Sequence, residues 1–63
     1  MKFHNFEKKI VDFIKKNRVV TTSEIASHFK LSWNTAEKYM LEMALLNKVT
    51  RLKKQGVNLW LIK

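Results

Sequence analysis

The side chains best suited to chemistry crowd into one short stretch. Trp33, Asn34, Thr35, Glu37 and Lys38 follow Ser32 directly. On a helix beginning there, Trp33 and Asn34, with Thr35 beside them, occupy the first turn, and Glu37 and Lys38 come one turn later. These groups match the edges of bases. The Asn34 amide can pair two-pronged with adenine, Lys38 can donate to guanine or to phosphate, Glu37 can accept from cytosine, and Thr35 or Trp33 can meet a thymine methyl. Trp33 has an alternative place under the hairpin or on the preceding helix. Glu37 has one in solvent, where its charge would lower nonspecific affinity for a polyanion. A second group is cationic: Arg51, Lys53 and Lys54, with Gln55 at the tip of a hairpin and Asn58 beside them. Long basic side chains on a thin ribbon can straddle a nucleic-acid backbone or enter its minor groove. The competing reading is a charged strand edge that discourages aggregation. Ser23, Ser27, Lys30 and Ser32 offer further phosphate contacts, and the free N–H groups of a helix opening at Ser32 suit an anion.

Two successive helices must hold this stretch. Thr21, with Glu24 three residues on, completes a capping box for a helix over Thr22 to Phe29. Ser32 caps a second helix from Trp33 to about Leu46. Lys30 and Leu31 are left for the turn, which is the spacing of a helix-turn-helix unit. Ile25, Ala26 and Phe29 face inward from the first helix of the pair. Ala36, Met40 and Met43 do so from the second, with Asn47 as a left-handed stop. Upstream, Phe6, Ile10, Phe13 and Ile14 form the apolar stripe of a helix over Asn5 to Lys16, capped by Asn5 and stopped by Asn17. Lys8, Lys9, Asp12, Lys15 and Lys16 lie on its other side, and Phe3 and Val11 at its margins. Arg18 to Thr21 reads as a short strand. Val49 to Lys54 and Val57 to Ile62 read as a hairpin turning at Gln55-Gly56. The last run is apolar at almost every position, so both its faces are expected to be covered. The strand near Val19 can pair with it to make a three-stranded sheet.

Composition bounds the rest. The chain has 63 residues, 13 Lys and Arg against 5 Asp and Glu, and a net charge of +8. That is one domain, and its charge favours phosphate backbones or anionic surfaces. No cysteine is present, so disulfides and thiolate metal sites are excluded. His4 and His28 are too few for a structural metal site, and His28 reads as polar filler on the outer side of its helix. No apolar run spans a bilayer and no leader pattern opens the chain, so the expected location is the cytoplasm, nucleoid-associated in a prokaryotic or viral host. An enzyme is not expected. There is no glycine-rich phosphate loop and no acid–base pair beside a histidine. Glu37 and Glu42 lack the spacing of three or four residues that shares a helix face. No cofactor and no small-molecule ligand are implied.

Helix, strand, helix, turn, helix, hairpin resembles the winged helix-turn-helix family along nearly the whole chain. The matching positions are Glu24, Ala26, Leu31, Ser32, Thr35 and Ala36. The resemblance implies an α+β, mostly α domain: three helices and a small antiparallel sheet in the order α1-β1-α2-α3-β2-wing-β3. Two positions depart from the family. Lys30 and Asn47 stand where it usually has glycine; positive φ at Lys30 would cost roughly 1 kcal/mol. Leu59-Trp60 is similar to the ending of winged helices that bind left-handed DNA. Those also use an asparagine and a tyrosine on the reading helix, and here Glu37 and Leu41 occupy the two places. Tyr39 lies on a different face, so the resemblance does not extend to reading left-handed DNA.

The function expected is sequence-specific binding of double-stranded DNA by a small transcription regulator. The helix from Trp33 would read the major groove, and the wing, residues 53–58, the backbone or minor groove. Leftover apolar surface near the first helix, with Leu41, Ala44 and Leu45, suggests a homodimer. The alternatives are a protein-docking module of transcription or replication machinery, and an RNA-binding winged helix in which Trp33 or Trp60 stacks on unpaired bases.

Overall fold

The computed structural model describes the backbone of residues 2–62 and the side chains of residues 6–62. Helix α1 spans Lys2–Asn17, strand β1 Val19–Thr21, α2 Thr22–Phe29, α3 Trp33–Leu45, β2 Val49–Lys54 and β3 Val57–Ile62. The chain is already helical before Asn5, which is therefore not a cap. The side chains of Phe3, His4 and Asn5 lie outside the described residues.

Each helix end follows from local chemistry. Asn17 is the last helical residue and donates its side-chain amide to the Phe13 carbonyl at 2.8 Å. The left-handed stop falls one residue later, on Arg18 at φ 72°. Its N–H closes on the Ile14 carbonyl at 2.6 Å. The expected capping box opens α2: Thr21 Oγ1 accepts from Glu24 N–H at 3.1 Å, and Glu24 Oε1 accepts from Thr21 N–H at 2.8 Å. Lys30 does adopt the left-handed conformation, φ 57°. Around it Leu31 N–H reaches the Ala26 carbonyl at 2.8 Å and Lys30 N–H the Ser27 carbonyl at 3.4 Å. That paired closure is a Schellman motif built without glycine. The same motif ends α3, with Asn47 at φ 61° and Lys48 N–H on the Met43 carbonyl at 2.9 Å. Ser32 starts α3 by accepting from Thr35 N–H at 3.2 Å.

The three strands form one antiparallel sheet in the order β1-β3-β2. Gln55 and Gly56 close the hairpin, both with positive φ of 52° and 80°. Two left-handed residues in a two-residue loop match the strand twist, as in a type I′ turn. Val20 pairs with Trp60 and Val49 with Ile62, which sends these side chains to the helical side. There Ile10, Ile14, Ile25, Ala36, Met40, Met43 and Trp60 are wholly buried. Phe6 adds edge-on contacts to Phe29 and Tyr39, 5.2 and 5.4 Å between ring centres. Glu7 is buried and lies 3.7 Å from the Lys48 ammonium, which ties α1 to the start of the hairpin.

Two expectations about apolar surface are corrected. Among the described residues, the apolar side chains of α1 turn inward, so α1 offers no large exposed apolar side chain; the leftover apolar surface lies on α3, where Leu41 and Leu45 are exposed as expected and Ala44 is half-buried. β3 is not covered on both faces either. Its outer side chains Leu59 and Leu61 are half-buried and Val57 is exposed, because all three helices pack on the Trp60 side.

Candidate nucleic-acid interface

The first turns of α3 and the hairpin tip stand side by side. Between them lies an open cleft of about 390 Å³, lined by Thr21, Thr22, Ser23, Trp33, Glu37, Lys53, Gly56, Val57 and Asn58. The pleat explains the composition of its wing wall. Lys53 and Asn58 are cross-strand partners on the helical side of the sheet, beyond the point where core side chains end. Trp33 is 50% exposed and forms the opposite wall, so it is not packed away under the hairpin.

Expected contact residues divide into free and anchored. Asn34 and Lys38 are exposed on α3, and Arg51, Lys53, Lys54 and Gln55 are exposed on the hairpin. Ser23 and Lys30 are exposed at the start and end of α2. Ser32 is exposed too, but its hydroxyl donates to Thr35 Oγ1 at 2.9 Å, and Thr35 is half-buried. The structure thus brings Trp33, Glu37, Lys53 and Asn58 to one cleft with Ser23 on its rim, and sets Arg51 apart beside Leu41, Ala44 and Leu45. Arg51, Lys54 and Gln55 do not line the cleft itself.

Glu37 is neither a free acceptor nor a solvated charge. Its Oε1 accepts from the Thr22 hydroxyl at 2.7 Å and its Oε2 from the Asn58 amide at 2.5 Å. The Thr22 oxygen in turn accepts from the Trp60 indole N–H at 2.8 Å. One relay therefore runs from the sheet core through α2 to α3 and back to the wing. It fixes the angle between α3 and the hairpin, because moving either would strand a hydrogen-bond donor of the relay. Asn58 Oδ1 has no partner and is buried. The amide cannot be turned over, since that would set its oxygen against the carboxylate. Trp60 is wholly buried, so it cannot stack on an unpaired base.

The sequence does not single out Thr21, Thr22, Gly56 and Val57 as cleft residues. A signal existed for Thr22, because a buried indole N–H requires an acceptor. Finding that acceptor 38 residues away requires the β1–β3 register. His28 is exposed, as expected, but lies flat on Phe13 with ring centres 4.1 Å apart, away from the cleft. Among the described residues no cluster of His, Cys, Asp or Glu could hold a metal ion, and no helix is long and apolar enough to cross a membrane.

Comparison with known proteins agrees with this architecture. The Zalpha domain of PKZ from Carassius auratus, solved in complex with Z-DNA, superposes with a TM-score of 0.90 over 100% of both chains. At 21% identity the likeness is one of fold, and it establishes the winged helix expected from the order of elements. No curated protein gives a significant match. The family of FaeA-like proteins matches residues 6–63, almost the entire chain. The chain thus has the winged-helix fold, and it belongs to the FaeA-like protein family.

Proposed function

We propose that the domain binds right-handed double-stranded DNA and acts as a small transcription regulator, without cofactor. The carrying observation is the joint exposure of Asn34 and Lys38 on α3 beside the basic hairpin tip, on a chain of net charge +8. Asn34 and Lys38, with the Trp33 ring, meet base edges in the major groove. Arg51, Lys53, Lys54, Gln55 and Lys30 take phosphates, as does Ser23. Thr35, Ser32, Glu37 and Asn58 hold this surface in shape from behind. The similar Zalpha domain, solved with Z-DNA, supports DNA as the partner class. A left-handed duplex is the second reading, favoured by that likeness. Glu37 weighs against it, because a carboxylate stands where left-handed readers carry asparagine, and Leu41 stands where they carry tyrosine. The protein acts in the compartment that holds the DNA, the cytoplasm of a prokaryotic or viral host cell, and works as a homodimer.

A mobility-shift titration tests this with a random right-handed duplex and an alternating CG duplex held left-handed. With six phosphate contacts, affinity for the random duplex falls about 10³-fold between ~50 and ~200 mM salt. No binding to either duplex at the lower salt would refute the reading and favour a protein-docking module. Preference for the left-handed duplex would refute the choice of helix form, and preference for single-stranded RNA would refute DNA itself.

A further inference from the structure

The outer face of the sheet is apolar and open. The register stacks Val19 beside Leu61, and Leu59 beside Leu52, on the side away from the helices. Val19, Leu52 and Val57 are 46, 51 and 47% exposed. An antiparallel sheet with one solvated face normally alternates, placing polar side chains outward. Here the outward side chains are aliphatic or threonine, and Lys54 at the tip is the cation among them. Lys53 and Asn58 point the other way, into the cleft. The two faces can thus be occupied at once.

We propose that this face receives a second copy of the same chain, and does so only on DNA. The proposal rests on the DNA-binding reading above. Three observations select the second copy. A largely aliphatic patch with its cation, Lys54, confined to the tip is complementary to itself across a two-fold axis, and like-charged copies can meet there with few opposing charges. The patch is small. Three strands of up to six residues give a face of roughly 200–300 Å², so two copies bury about half of the ~1,000 Å² that a stable interface needs. Each copy also carries +8, which keeps free copies apart. Phosphates remove that repulsion, and a shared duplex raises the local concentration of the second copy.

The test compares a random duplex of about one turn with one of about three turns, both at low salt. Sedimentation without DNA accompanies the titrations. Wild type is expected to be monomeric alone, to bind the short duplex as one copy, and to load the long duplex in pairs with about tenfold cooperativity or more. Val19→Ser with Leu52→Ser should keep the short-duplex affinity within about twofold and abolish pairing. Leu52→Glu, which adds repulsion across the two-fold, should do the same, and circular dichroism confirms that each variant is folded. Independent loading of the long duplex by wild type, or pairing that survives both variants, overturns the proposal while leaving DNA binding intact. A stable dimer without DNA overturns the dependence on DNA. No binding to the short duplex overturns the DNA-binding reading itself.

Discussion

Thr22→Val tests whether the polar relay holds the domain together. Valine matches threonine in shape, so the change removes a hydroxyl and opens no cavity. Thr22 is 2% exposed and Trp60 is wholly buried. Without the hydroxyl, the indole N–H has no acceptor, and a buried donor left unmade costs about 1–3 kcal/mol. Glu37 loses one of two hydrogen bonds but keeps Asn58 and borders an open cleft. Water replaces part of the lost bond, which adds about 1 kcal/mol at most. The sum is roughly 1–4 kcal/mol, against a total stability of about 3–9 kcal/mol for a domain this small. At ~4–8 °C per kcal/mol, the melting point should fall by at least about 4 °C.

Urea and thermal unfolding, followed by far-ultraviolet circular dichroism, measure the loss. Indole fluorescence in a Trp33→Phe background isolates Trp60. Thr22→Ser keeps the oxygen and should cost much less. A double-mutant cycle separates the two parts. In Trp60→Phe, where no N–H remains to strand, Thr22→Val should cost only the Glu37 share, about 1 kcal/mol. A loss below ~0.5 kcal/mol for Thr22→Val in the wild-type background, or equal losses in both backgrounds, would refute the relay as a stabilising unit.

Three further outcomes are expected. Lys53→Ala with Lys54→Ala should weaken binding to all duplexes alike and reduce the salt slope by about 2, measured by mobility shift over a salt series. Asn34→Ala should change the sequences recovered from a randomised duplex pool. Unchanged preferences would mean that α3 does not read bases. Lys30→Gly removes a non-glycine residue from φ 57° and should raise the urea-derived stability by about 0.5–1 kcal/mol, while slightly lowering DNA affinity through the lost cation.

Most of the fold is legible in the sequence because its boundaries are written as local chemistry. Thr21 with Glu24, Ser32, Asn47 and Gln55-Gly56 each act within a few residues, and each behaves as its side chain dictates. The failures are of another kind. Asn17 and Arg18 are both able to end a helix in a polar context. The choice between them depends on where Val20 must enter the sheet, which is a tertiary demand. The candidate site shows the same division. Asn34 and Lys38 are legible as exposed because helical spacing sets them opposite Ala36 and Met40, whereas Trp33 falls on the side of Met40 and its exposure at the opening of α3 is not written in the spacing. Glu37 lies on the same arc, and only the approach of Thr22 and Asn58 turns it from a surface charge into an anchored acceptor. The open outer face of β3 was hidden for a related reason. A continuous apolar run is the pattern of a doubly covered strand, and sequence cannot report that the second cover is missing.

Glu37 shows how affinity and shape divide between residues of one surface. A carboxylate within ~6 Å of a phosphate, partly screened by water, costs about 1–3 kcal/mol of binding. A surface selected only for phosphate affinity would not keep it. Its two hydrogen bonds give a different reason for its presence. They join α3 to the wing through Asn58 and to the buried indole through Thr22, so Lys53 stays across the cleft from the first turns of α3. On the proposed function, affinity would rest with Lys30, Lys38, Arg51, Lys53 and Lys54, and discrimination with Asn34. The anion at Glu37 sets the relative position of α3 and the wing. The relay is also self-protecting, because Glu37 can swing toward solvent only by stranding the Thr22 hydroxyl and the Asn58 amide. The relative position of α3 and the wing is therefore fixed in the free domain, so on the proposed function little binding energy would go into ordering that surface.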